Sequence, residues 1–135
     1  MSRIGDLFKS HPAQPGKEVG KLSVCLEACL ECVGSCSICA DACLGEANPV
    51  MLRTCARACA DCADICVATA QVVARLTEVN LNRLRSQVGA CAVCCRTCAE
   101  ECERHAGHHE HCRICGAVCR ECEQACNDLL NALAA

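Results

Sequence analysis

Apolar and cysteine positions recur every three or four residues through most of the chain. They begin at Cys25 and run Cys25, Cys29, Cys32, Cys36, Cys39, Cys43, then Cys55, Cys59, Cys62, Cys66. After a gap they resume at Cys91, Cys94, Cys95, Cys98, Cys102 and finish at Cys112, Cys115, Cys119, Cys122, Cys126. A three-four step is the repeat of one helix face, so each run predicts an amphipathic helix with cysteine in the stripe that leucine usually fills. Breakers divide the pattern. The first helix is expected from about Lys17 to Leu44, with Gly45 as its terminal glycine. Asn48-Pro49 reads as the cap and first helical position of the second, which is expected to reach about Glu78. A break near Asn80 and Asn82 precedes a third helix ending near His105. Gly107 separates it from a fourth, about His109 to Ala132. Short connections make neighbours antiparallel, so the expected fold is all-α: an up-down four-helix bundle over residues 17–135 with a cysteine-lined core. Residues 1–16, with Pro12, Pro15 and Gly16, read as a flexible N-terminal arm in which Ile4, Leu7 and Phe8 could form a short turn against the bundle.

Continuing each stripe past its cysteines gives the bundle two unlike ends. At one end meet Leu22, then Thr69, Val73 and Leu76, then Leu81, Leu84 and Val88, then Leu129 and Leu133, which predicts a dry aliphatic plug. At the other end meet Glu46, Met51, Leu52, His105, His108 and His109, which predicts a polar mouth. His111 lies less well in phase than the other three histidines, and His11 reads as surface. In the pair Cys94-Cys95, adjacent side chains point about 100° apart. Cys95 keeps the stripe and Cys94 is the odd one, retained as a ligand candidate.

Composition sharpens this picture. Hydrophobic residues make up 53% of the 135, but 20 of them are cysteine, and there is no Trp, no Tyr and one Phe. A core so poor in aromatics has little packing volume, and bound metal is the obvious filler. The formal charge of −3, with Arg and Glu intermixed and no basic block, argues against nucleic acid. No apolar run is expected to approach a membrane span, and the first residues lack a secretory signal pattern, so a cytoplasmic chain with reduced thiols is expected. Geometry agrees: helix neighbours hold their Cβ atoms about 5–6 Å apart, against about 3.8 Å in a disulfide.

Thiolate selects Cu(I), Zn(II) or iron–sulfur clusters, and charge separates them. One Cu(I) replacing one thiol proton leaves the core neutral, whereas Zn(II) on four thiolates leaves two negative charges. Several such zinc sites would bury many uncompensated charges, and no Lys or Arg sits in the stripe to offset them. Cu(I) at about one per Cys is therefore the least costly full loading, with pairs such as Cys25/Cys29, Cys62/Cys66 and Cys36/Cys39 each offering two sulfurs to one ion. Met51 adds a soft thioether beside the mouth, while Asp61 and Asp64, which flank Cys62, read as an outer charged face. The alternatives are an iron–sulfur electron carrier, disfavoured because clusters are usually wrapped by loops, and a zinc-thiolate buffer, disfavoured by charge. A thiol oxidoreductase would need one activated exposed pair rather than many equivalent ones. The chain is read as non-enzymatic.

The segments CLEACLECVGSCSICADAC and CRICGAVCRECEQAC, with the turn ERHAGHHEHC, resemble the copper storage proteins, specifically the cytosolic branch. The resemblance spans about Lys17 to Ala132. It implies a homotetramer of four-helix bundles, each holding many Cu(I) ions on the core cysteines, with mouth ligands among His105, His108, His109 and His111. It names no copper chaperone that delivers the ions and no cuproenzyme that receives them.

Overall fold

A computed structural model describes residues 2–16 and 18–134. The expected first residue of the bundle, Lys17, and the last, Ala135, lie outside the described residues. The order is α1 (Ile4–Ser10), α2 (Val19–Gly45), a 3₁₀ turn (Pro49–Leu52), α3 (Arg53–Val73), α4 (Leu81–His105) and α5 (Glu110–Leu133). The four long helices are those read from the stripes. Each packs on two others: α2 on α3, α3 on α4, α4 on α5, and α5 back on α2, which closes the ring. Cys25 at the start of α2 meets Cys126 near the end of α5, and Cys55 at the start of α3 meets Cys102 near the end of α4. These pairings are those of antiparallel neighbours.

The helix ends follow local chemistry. The Asn80 side chain accepts a hydrogen bond from the Arg83 backbone N–H at 2.9 Å, capping α4. His109 takes the cap position of α5, its carbonyl accepting from the N–H groups of Cys112 and Arg113. Two boundaries differ from the sequence expectation. Pro49 opens a 3₁₀ turn, with α3 starting only at Arg53, and α3 ends at Val73 rather than near Glu78. Beyond Val73 the chain turns through Glu78, at φ 55°, yet still buries Leu76. Residues Ile4–Ser10 are helical and pack on α2 through the buried Phe8.

At the plug end Leu22, Thr69, Val73, Leu76, Leu84, Val88 and Leu129 are all buried. Leu81 departs from the expectation and is exposed, because it is the first residue of α4 and no further turn covers it. Burying such side chains contributes about 1.5–3 kcal/mol each, which makes the plug the main aliphatic anchor of a core otherwise built of thiols.

One expectation needs correcting. Among the described residues α2 is long and apolar enough to cross a membrane by length and composition. Its six cysteines count as apolar, and all six face the interior of the bundle.

Candidate metal centre

All 20 cysteines carry free thiols, and all but Cys94 are buried. Helix periodicity puts every stripe on the inner face of its helix, and the antiparallel ring brings the four stripes together. The sulfurs then stand at van der Waals contact: Cys36 Sγ to Cys119 Sγ 3.5 Å, Cys59 Sγ to Cys102 Sγ 3.7 Å, Cys66 Sγ to Cys95 Sγ 3.8 Å, Cys29 Sγ to Cys91 Sγ 3.9 Å. A disulfide needs about 2.05 Å, so this is a column of separate donors.

The donors group in fours, in order along α2. Nearest the mouth are Cys39, Cys43, Cys112 and His111. Next come Cys39, Cys59, Cys102 and Cys115, then Cys32, Cys36, Cys62 and Cys119. Deeper lie Cys32, Cys66, Cys95 and Cys122, and deepest of these groups Cys29, Cys91, Cys122 and Cys126. Within each group the donor atoms lie within 4.8 Å of one another, close enough to share one or more ions. Cys25 extends the column toward the plug through Cys126 at 3.9 Å, Cys98 joins it through Cys59 at 3.8 Å, and Cys55 joins through Cys102 at 3.8 Å. Cys94 is half-buried, as its off-stripe phase implied.

Burial disfavours the charged form of every thiol in the column, while hydrogen bonds between neighbouring thiols act in both directions, holding Cys25 and Cys98 down. Burial pushes Cys43 up to about 11 and Cys112 up to about 12, and the neighbouring Cys55 adds to both. A cation bound at Cys43 or Cys112 must therefore displace a proton.

The mouth is arranged differently from its sequence reading. His111, the histidine least in phase, is the one that reaches the thiols: its Nδ1 lies 3.3 Å from Cys39 Sγ and 3.6 Å from Cys112 Sγ. Its Nε2 faces Glu46 Oε2 at 2.8 Å, and the same oxygen meets His109 Nδ1 at 3.1 Å. The His109 and His111 rings stand 5.6 Å apart. Glu46 comes from the end of α2, and its carboxyl is held below the usual carboxylate range, chiefly by the hydrogen bond from His111. His105 instead pairs with Glu101, Nε2 to Oε2 at 3.0 Å. Glu101 is buried and also accepts from Arg104 at 2.8 Å; the cysteine stripes do not point to it, and its i,i+4 spacing to His105 is the one signal for it in the sequence. His108 is exposed in the turn after α4. Met51 is 69% exposed: the 3₁₀ turn advances about 120° per residue rather than 100°, and Leu52 takes the inward position. Asp61 lies on the outer face, in an ion pair with Arg57.

Comparison with known proteins follows the geometry. A family model described as copper storage protein matches residues 18–131. The chain is similar to the Streptomyces lividans copper storage protein Ccsp, solved loaded with 10 copper equivalents: 46% identity, 95% of this chain and 98% of that one covered, TM-score 0.92. It is also similar to a cytosolic copper storage protein from Streptomyces lividans solved with five coppers, at 49% identity over 83% of this chain and 93% of that one, TM-score 0.82. A histidine-to-alanine variant of Streptomyces lividans Ccsp matches at 48% identity over 84% of this chain and 95% of that one, TM-score 0.83. Among curated proteins no relative matches the chain. With 114 consecutive residues under the family model and close structural agreement across almost the whole chain, this protein belongs to the copper storage protein family.

Proposed function

We propose that the chain stores Cu(I), about one ion per Cys, on the thiol column, acting in the cytoplasm and without catalysis. The observation that carries this reading is the continuous series of four-donor groups of buried, free thiols from α2 to α5. Soft sulfur donors at low coordination number suit Cu(I), and one ion per displaced proton keeps the core neutral. Copper is taken up and released at the His111 end, because the opposite end is closed by Val88, Leu129 and their neighbours. His109 and His111 serve the incoming ion, with His105 and His108 further out. Residues 17–135 form the storage domain and 1–16 an arm. Four copies assemble, an arrangement supported by apolar residues left exposed on α2, α3 and α4, such as Val24, Leu30, Ile38, Val67 and Val93. The test is an anaerobic Cu(I) titration of the reduced apoprotein against a strong Cu(I) chelator, repeated with His111→Ala. Saturation at about one ion per Cys is expected, with slower loading and nearly unchanged capacity in the variant. A plateau at one or two ions would remove the storage function.

A further inference from the structure

We propose that Cys39, Cys43, Cys112 and His111 form a site for one tetrahedral divalent cation of the zinc class, oriented by Glu46, in addition to the role of these residues in the copper column. Of the donor groups described above, this one alone contains a nitrogen. Three thiolates and one neutral imidazole are a standard structural zinc set, with Zn–S about 2.3 Å and Zn–N about 2.0–2.1 Å. Those bond lengths give a tetrahedral S-to-N edge of about 3.6 Å. The two observed edges, Cys39 Sγ to His111 Nδ1 at 3.3 Å and Cys112 Sγ to His111 Nδ1 at 3.6 Å, already bracket it. Cys43 Sγ lies within 4.8 Å of the other three donors and closes the fourth vertex with a small side-chain shift.

Charge turns in favour of zinc at this point only. Zn(II) on an all-thiolate group leaves two negative charges in the dry core; here it leaves one. The balance is complete: three thiol protons leave, and the imidazole binds without losing any. The site also sits beside partly exposed groups, the side chains of His111 and Glu46 being 23% and 32% exposed. The remaining charge is therefore partly solvated, which lowers the desolvation cost.

The carboxylate completes the arrangement. Metal-bound histidines usually donate their second N–H to a carboxylate, which fixes the tautomer and aims the free nitrogen. Glu46 Oε2 stands 2.8 Å from His111 Nε2, so Nε2 carries the proton and Nδ1 presents its lone pair to the sulfurs. Glu46 is thus a positioning residue. It directly follows α2 and His111 lies in the first turn of α5, so the site forms only when the two helix ends meet. A cation there also ties up Cys39, which belongs to the next group down, so zinc occupancy and copper passage compete.

The test uses the full chain, reduced and anaerobic, titrated with Co(II) as an optical probe and back-titrated with Zn(II). One equivalent of Co(II) should bind with the intense visible bands of a tetrahedral thiolate site, and Zn(II) should displace it. Glu46→Gln should weaken binding about 10–100-fold, and His111→Ala should abolish the single tight step while far-UV circular dichroism stays helical. If His111→Ala does not fold, Glu46→Gln decides. Binding of several equivalents, insensitivity to both substitutions, or the absence of tetrahedral bands would each overturn the proposal. No copper enters the experiment, so its failure leaves the storage reading standing, and loss of copper capacity would leave this site standing.

Discussion

Loading the column with Cu(I) in weakly buffered solution should release one proton per ion, and that ratio should hold from the first ion to the last. The perturbation is the copper itself. Removal from water disfavours thiolate throughout the buried column, and at Cys43 and Cys112 it holds the thiol protonated at neutral pH. An ion that deprotonates two thiols leaves a surplus negative charge in a core where the surrounding cysteines have essentially no solvent exposure. Adjacent sulfurs such as those of Cys59 and Cys102 stand 3.7 Å apart. Two surplus thiolates at that distance repel by about 4 kcal/mol at an effective dielectric constant near 20, which is on the order of a thousandfold in the equilibrium constant. That repulsion acts again at each successive group, so it exceeds the gain from strict two-thiolate binding once neighbouring sites fill. The assay is an anaerobic titration near neutral pH with an indicator dye, read against the amount of copper added. About 20 protons per chain are expected at saturation, one for each of the 20 cysteines. Two protons per ion over the first half of loading, followed by none, would refute the charge argument: the core would then tolerate a large negative charge.

Two further outcomes test the plug and the mouth. Leu129→Ala removes a side chain with no exposure and should cost about 3 kcal/mol in the apoprotein. For a chain of 135 residues, unfolding entropy is about 0.28 kcal/mol per kelvin, so calorimetry should record a fall of about 10 °C while copper capacity is unchanged; lost capacity would mean that the plug also shapes the donor groups. Glu46, whose carboxyl is depressed chiefly by its His111 partner, contributes stability that is present above the ordinary carboxylate range and lost as pH falls through its lower folded value. Thermal melts of the parent and of Glu46→Gln should therefore differ near neutrality and converge in acid; a constant gap across pH would show that the carboxylate charge contributes nothing.

The stripes made the four long helices and the buried identity of their cysteines legible, because a three-four repeat sustained over several turns has only one regular geometry. Asn80 and His109 also announced their helix ends. The end of α3 was not legible. Leu76 is buried both in an extended helix and in the turn that replaces it, so its phase carried no information about where the helix stops. Met51 leaves the stripe for a related reason: Pro49 starts a 3₁₀ turn, and its tighter winding rotates that side chain outward. His111 stands off the α5 stripe because it adjoins Cys112, about 100° round the helix. What fixes His111 is Glu46, 65 residues earlier in the chain, and local periodicity contains no trace of that partner.

The buried aliphatic end makes depth along the bundle equivalent to age. With uptake at the His111 end as proposed, an ion held by Cys29, Cys91, Cys122 and Cys126 would have travelled the length of α2 and would retrace that route to leave. Withdrawal therefore begins with the most recent arrivals, while the innermost ions form a reserve of long residence. Brief shortages would turn over only the shallow fraction, and a pulse of isotopically labelled copper added to a nearly full protein would come out ahead of the copper already inside.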